Sequence, residues 1–85
     1  MGFPKEIDPK KVEKAVKDII CEQLGLKEVK NEQNLSIDLN VDELDMIELC
    51  MVFEEKWGID ISDEDAERLT TVKDAVNYII GRTKQ

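Results

Sequence analysis

The chain has 85 residues, enough for one small core, and its hydrophobic fraction of 41% against 38% charged residues argues for folding rather than disorder. The formal charge of −8 is concentrated in residues 31–69, where thirteen acids face only Lys56 and Arg68, so nucleic acid and anionic membranes are repelled and basic surfaces attracted. The absence of histidine removes Cys–His and Ser–His nucleophile pairs and the usual zinc sets, leaving little basis for a self-contained enzyme.

The first predicted element opens at Ile7-Asp8-Pro9, with Asp8 as N-cap and Pro9 at the first helical position. Val12, Val16, Ile19, Ile20 and Leu24 then recur at helical spacing, and Gly25 supplies a stop. Residues 25–41 form a long connection that Leu26, Val29, Leu35, Ile37 and Leu39 are expected to pin to the core. Connections of that length are uncommon in compact domains and often functional.

The second helix is expected from Asp42, an N-cap with Asp45 three residues on, to about Trp57, before Gly58. A short third helix follows Ser62, with Ala66 and Leu69 as its inward candidates. The fourth starts at Thr71, carries Val72, Ala75, Val76 and Ile79 on one face, and is expected to stop at Gly81. Nothing alternates at period two for long, although "GIDIS" (58–62) does so briefly. The expected fold is all-α: a single domain over 1–85, a compact bundle of three main helices and one short one. Cys21 and Cys50 fall inside helical patterns at no metal-like spacing and read as free thiols in a reducing compartment. No apolar run approaches the ~20 residues needed to span a bilayer. A monomer in the cytoplasm is expected, or in an organelle matrix if a transit segment has been removed.

The second helix carries two apolar stripes. Met46, Leu49, Cys50, Phe53 and Trp57 cluster within roughly 100° of arc, an ordinary core stripe. Leu44, Ile47 and Met51 form another, flanked by Glu48, Glu54 and Glu55, with Asp45 further round. A helix buried on most sides would explain both stripes, yet ionised side chains are costly to bury unpaired. An exposed apolar strip with an acidic rim fits better, and it suits docking: acids steer basic partners in, and the strip supplies contact area. Methionine repacks readily against several partners.

A metal reading is weaker. Asp38, Asn40 and Asp42 match positions 1, 3 and 5 of an EF-hand loop, but position 6 is Glu43 instead of Gly and position 12 is Leu49 instead of Glu. No specific metal site is expected, although weak divalent binding would relieve repulsion among the crowded acids, including Asp60, Asp63, Glu64 and Asp65.

From about Val12 to Ile80 the chain resembles an acyl carrier protein, most closely in "DLNVDELDMIELCMVFEEKWGIDISDEDAERLTTVKDAVNYI". The family pattern reads Asp-Leu-Gly-x-Asp-Ser-Leu-Asp, then a Glu-Leu pair and a Glu-Glu pair. Asp38, Leu39, Asp42, Leu44, Asp45, Glu48, Leu49, Glu54 and Glu55 match it in register. The resemblance implies a four-helix bundle that catalyses nothing itself. In the family, a serine at the start of the second helix bears 4′-phosphopantetheine, and that helix meets basic patches on acyl-chain-processing enzymes. The recognition set implied here is Asp42, Leu44, Asp45, Ile47, Glu48, Met51, Glu54 and Glu55.

Two departures stand out: Asn40 takes the place of the family Gly, and Glu43 that of the serine. Asn tolerates left-handed backbone better than most residues. A carboxylate, however, cannot form the same stable phosphodiester, and the two serines, Ser36 and Ser62, lie elsewhere in the pattern. No covalent cofactor is therefore expected. Three readings remain open: an arm-less interaction module of fatty-acid or polyketide biosynthesis, an ordinary carrier whose serine has been deliberately replaced, and an acidic divalent-binding regulator.

Overall fold

A computed structural model of the chain describes residues 8–83. Within them are four helices: α1 (Pro9–Leu24), α2 (Glu43–Trp57), α3 (Asp63–Glu67) and α4 (Val72–Thr83). Ile7 and the ends of the expected 1–85 domain lie outside the described residues.

The α1 boundaries follow local chemistry. The Asp8 carboxylate accepts from Lys10 N at 3.0 Å, Pro9 follows at the position where a missing N–H costs nothing, and Gly25 ends the helix at φ 71°. Val12, Val16 and Ile20 are its buried stripe. It packs against both α4 and α2. The core they share also holds Leu49, Phe53, Val72, Ala75, Val76 and Ile79.

The long connection is held by hydrogen bonds as much as by side-chain burial. Leu35 N donates to Thr70 O (2.9 Å), Val72 N to Gln33 O (3.0 Å) and Lys73 N to Asn31 O (3.0 Å), so the connection is laced to the start of α4. The single isolated bridge among the described residues, Asn34 with Thr71, belongs to this lacing. Asn34 Oδ1 accepts from Ser36 N, Ser36 Oγ and Ile37 N, and Asp38 Oδ2 accepts from Asn34 N at 2.7 Å. These bonds build a compact turn of the type Asn and Asp favour.

Three sequence expectations need correction. Val29 and Leu35 are buried and Leu39 packs on the core, but Leu26 and Ile37 do not pin the connection. Leu26 follows the left-handed turn at Gly25, where its N–H caps Cys21 O, and it remains 38% exposed. Ile37 is held on the outside of the Asn34 turn at 76% exposure, and Val41 enters the core nearby. Gly81, finally, does not end α4, which runs to Thr83. Its φ is not in the left-handed region, and Thr83 Oγ1 donates to Ile79 O (2.8 Å) and Ile80 O (3.3 Å), closing the last turn two residues later.

Candidate functional site

Site geometry begins with how α2 starts. Asp42 Oδ1 accepts from Asp45 N at 2.8 Å, and Asp45 Oδ2 accepts from Asp42 N at 3.3 Å, a reciprocal capping box. Just before it, Asn40 takes φ 59°, the one non-glycine residue with positive φ among those described. This left-handed step turns the connection sharply, so that Val41 is buried while Asp42 reaches the helix start. Glu43 occupies the first helical position, where the helix dipole favours a carboxylate, and its side chain lies exposed to solvent.

The two stripes of α2 part as the sequence suggests. Leu49, Cys50 and Phe53 are buried; Met46 and Trp57 are half-buried against the core. Leu44, Ile47 and Met51 are 63%, 51% and 59% exposed. Three large apolar side chains thus stand in water along one face of a helix whose other face forms the core.

The surrounding carboxylates do different work. Asp42 and Asp45 are engaged in the cap. Glu54 is half-buried and its Oε2 accepts from Ile61 N at 2.8 Å, bracing the segment between α2 and α3. Glu48 is exposed but accepts from Gln23 Nε2 of α1 at 3.1 Å. Glu43 and Glu55 remain as exposed charges. Lys56 lies 5.6 Å from the Trp57 ring centroid in the last turn, where a cation also suits the helix dipole.

A groove of about 440 Å³ runs between the N-terminal half of α2 and α3. Leu35, Val41, Met46, Ile47, Ala66 and Leu69 give it apolar walls, and Asp42, Glu43, Asp63 and Glu67 stand around it. The α3 wall is fixed from behind. Tyr78 of α4 donates its hydroxyl to Asp65 Oδ2 at 2.8 Å and accepts from Arg82 Nη1 at 2.7 Å; Arg82 Nη1 also donates to Asp60 O at 2.8 Å. The Tyr78–Arg82 pairing was accessible from its i, i+4 spacing, but its reach to Asp65, thirteen residues away, was not. Asp65 therefore does not complete a reciprocal cap with Ser62, whose Oγ accepts from Asp65 N at 3.1 Å.

Neither cysteine is poised as a nucleophile. Burial, reinforced by the negative charges of Glu54 and Asp63, pushes the Cys50 thiol up to about 11. Partial burial and the nearby Asp18 and Glu28 raise Cys21 as well. The described residues include no group of three or more Cys, Asp or Glu side chains placed to hold a metal ion, and no helix long and apolar enough to cross a membrane.

The arrangement is that of a non-catalytic carrier domain: a small helical bundle whose second helix begins in the open and shows a free face. Residues 14–79 match the family described as phosphopantetheine attachment site. Among solved structures, an acyl carrier protein from Enterococcus faecalis is 33% identical with a TM-score of 0.76, covering 89% of this chain and 99% of that one. A protein from Anaplasma phagocytophilum assigned as an acyl carrier protein is 32% identical with a TM-score of 0.79, covering 92% and 94%. The chain belongs to the acyl carrier protein family.

Proposed function

We propose that this carrier-family domain of fatty-acid or polyketide biosynthesis is an arm-less interaction module that docks on basic partner surfaces through α2. The observation that carries the reading is the exposure of Leu44, Ile47 and Met51 on the helix the family uses for recognition. Asp42, Asp45, Glu48, Glu54 and Glu55 set the negative potential around that strip, Glu48 and Glu55 from exposed positions and Asp42, Asp45 and Glu54 from positions already braced by backbone N–H groups.

Glu43 takes the place of the attachment serine in this reading. It directly follows the N-cap and precedes Leu44, which gives the Asp-x-Leu step without its hydroxyl. The side chain present does not fit the family's cofactor linkage, because a carboxylate offers no alcohol for a phosphodiester. The two serines are occupied elsewhere: Ser36 Oγ donates to Asn34 Oδ1 at 3.0 Å, and Ser62 Oγ caps α3. Asn40 at φ 59° supports natural divergence over a deliberate exchange of the serine, since blocking attachment requires no change at that turn.

Incubation with coenzyme A and a broad-specificity phosphopantetheinyl transferase tests the loss of the arm. The intact mass is expected to stay unchanged, while the Glu43→Ser variant gains one arm. Modification of the unaltered protein contradicts the reading.

A further inference from the structure

We propose that the groove between α2 and α3 is a receptor for a partner protein's side chain: an aliphatic or aromatic anchor flanked by Lys or Arg. This inference rests on the docking reading of α2 and adds a second contact to it, outside the exposed strip.

The groove has the two properties such an anchor needs. Its walls are apolar, from Leu35, Val41, Met46, Ile47, Ala66 and Leu69, and its volume of about 440 Å³ accommodates one large side chain with room for its neighbours. Four carboxylates stand around it, Asp42 and Glu43 from α2 and Asp63 and Glu67 from α3. They find no cation nearby: the two side-chain ion pairs among the described residues, Lys14–Asp18 and Lys17–Glu13, both lie on α1. A fatty-acid carboxylate or a phosphate would enter against this charge, whereas a cation beside an apolar group is attracted by it. Glu43 is central to that choice, because it places a permanent carboxylate at the α2 end of the opening.

Burial and hydrogen bonding also argue that the groove is preformed. Tyr78 and Arg82 hold Asp65 and the Asp60 carbonyl from the α4 side, so the α3 wall has a fixed backing. Opposite it, the half-buried Met46 has a flexible side chain that adapts to the shape inserted. Ile47 belongs to the groove and to the exposed strip at once, so a partner lying on α2 reaches both.

The test is a ¹⁵N and methyl NMR titration of the full chain with a twelve-residue helical peptide bearing one phenylalanine between two arginines. Two twins accompany it, one with the phenylalanine replaced by alanine and one with both arginines replaced by glutamine. Nuclear Overhauser contacts from the phenylalanine ring to the Met46 and Ala66 methyls are expected, together with amide shifts at Val41 and Leu69. The alanine twin is expected to bind about tenfold more weakly, as for a buried anchor. Glu43→Gln, Glu67→Lys and the glutamine twin should each weaken binding roughly threefold or more.

Amide dispersion reports whether each variant folds, and Glu67→Gln replaces Glu67→Lys if the latter does not. Shifts confined to Leu44 and Met51, with the alanine twin binding equally well, overturn the groove proposal and leave α2 docking intact. Equal binding of the glutamine twin overturns the requirement for a cation and with it the proposal. No shifts on either surface overturn both readings.

Discussion

Asp42 and Asp45 bind each other's backbone N–H groups at the start of α2, at 2.8 Å and 3.3 Å, so two carboxylates in the acidic stretch are structural before they are anything else. Replacing either by alanine removes one orphan-donor partner at the helix end. Asp42→Ala is expected to cost ~1 kcal/mol of unfolding free energy, and Asp42→Asn much less, in urea titrations followed by circular dichroism. Equal losses for both variants would mean that charge, and not the cap, matters at this position.

Met51 and Leu49 stand two residues apart on opposite sides of α2, 59% and 1% exposed. Leu49→Ala is expected to cost ~2–5 kcal/mol, and Met51→Ala to stay within ~0.5 kcal/mol. Denaturant midpoints decide between them. A loss of several kcal/mol for Met51→Ala would make the outer strip part of the core and remove the basis for docking.

Asn40 holds φ 59° without the freedom of glycine. Asn40→Ala is expected to destabilise the domain by ~1 kcal/mol, because a Cβ-bearing residue without a short polar side chain is strained there. Asn40→Gly should be neutral or slightly stabilising. Thermal melts of the two variants check the sign of each change.

The Cys50 thiol is held neutral in the folded state, pushed up to about 11 by burial and by Glu54 and Asp63. Burial and the Asp65 hydrogen bond also raise Tyr78, with Arg82 opposing them. Raised acids of this kind contribute stability that is complete below their unfolded values and lost as pH rises through the folded ones. The domain should therefore lose stability from about pH 9 to pH 11 on this account, since an unfolded Cys50 ionises first. Cys50→Val removes the titrating group with little change of shape, and unfolding free energies across that window are expected to fall less steeply for it.

Tyr78 is the tie between α4 and α3, a five-residue helix with no buried residue of its own. Tyr78→Phe keeps the ring and deletes the hydroxyl. Hydrogen exchange of the Asp65, Ala66 and Arg68 amides is expected to accelerate about tenfold while Ile20 and Phe53 change little, a loss confined to the local opening of α3.

Much of this architecture was legible in the sequence because its helix ends are written in short-range chemistry. Asp8-Pro9, Asp42 with Asp45, Ser62 and Gly58 mark boundaries that the structure keeps to within a residue. Gly81 misled because glycine stops a helix only where the chain adopts the left-handed turn, and here the last turn is closed by Thr83. Within 25–41, apolar identity alone could not separate Leu35 and Val41 from Leu26 and Ile37. That sorting depends on backbone bonds to Thr70 and on the Asn34 turn, which no periodicity records. The two faces of α2 were readable from 100° steps, since charge and apolarity segregate along them. What was not readable is which acids are spent: Glu54 looked like a recognition charge, yet its carboxylate is tied to Ile61 N.

The central claim is that the domain works by contact alone, carrying nothing covalently. Intact-mass spectrometry of the protein isolated from its native source addresses it directly. The account predicts the polypeptide mass without a phosphopantetheine increment; a species heavier by one arm or by an acylated arm, localised by fragmentation to any residue of this chain, would contradict it.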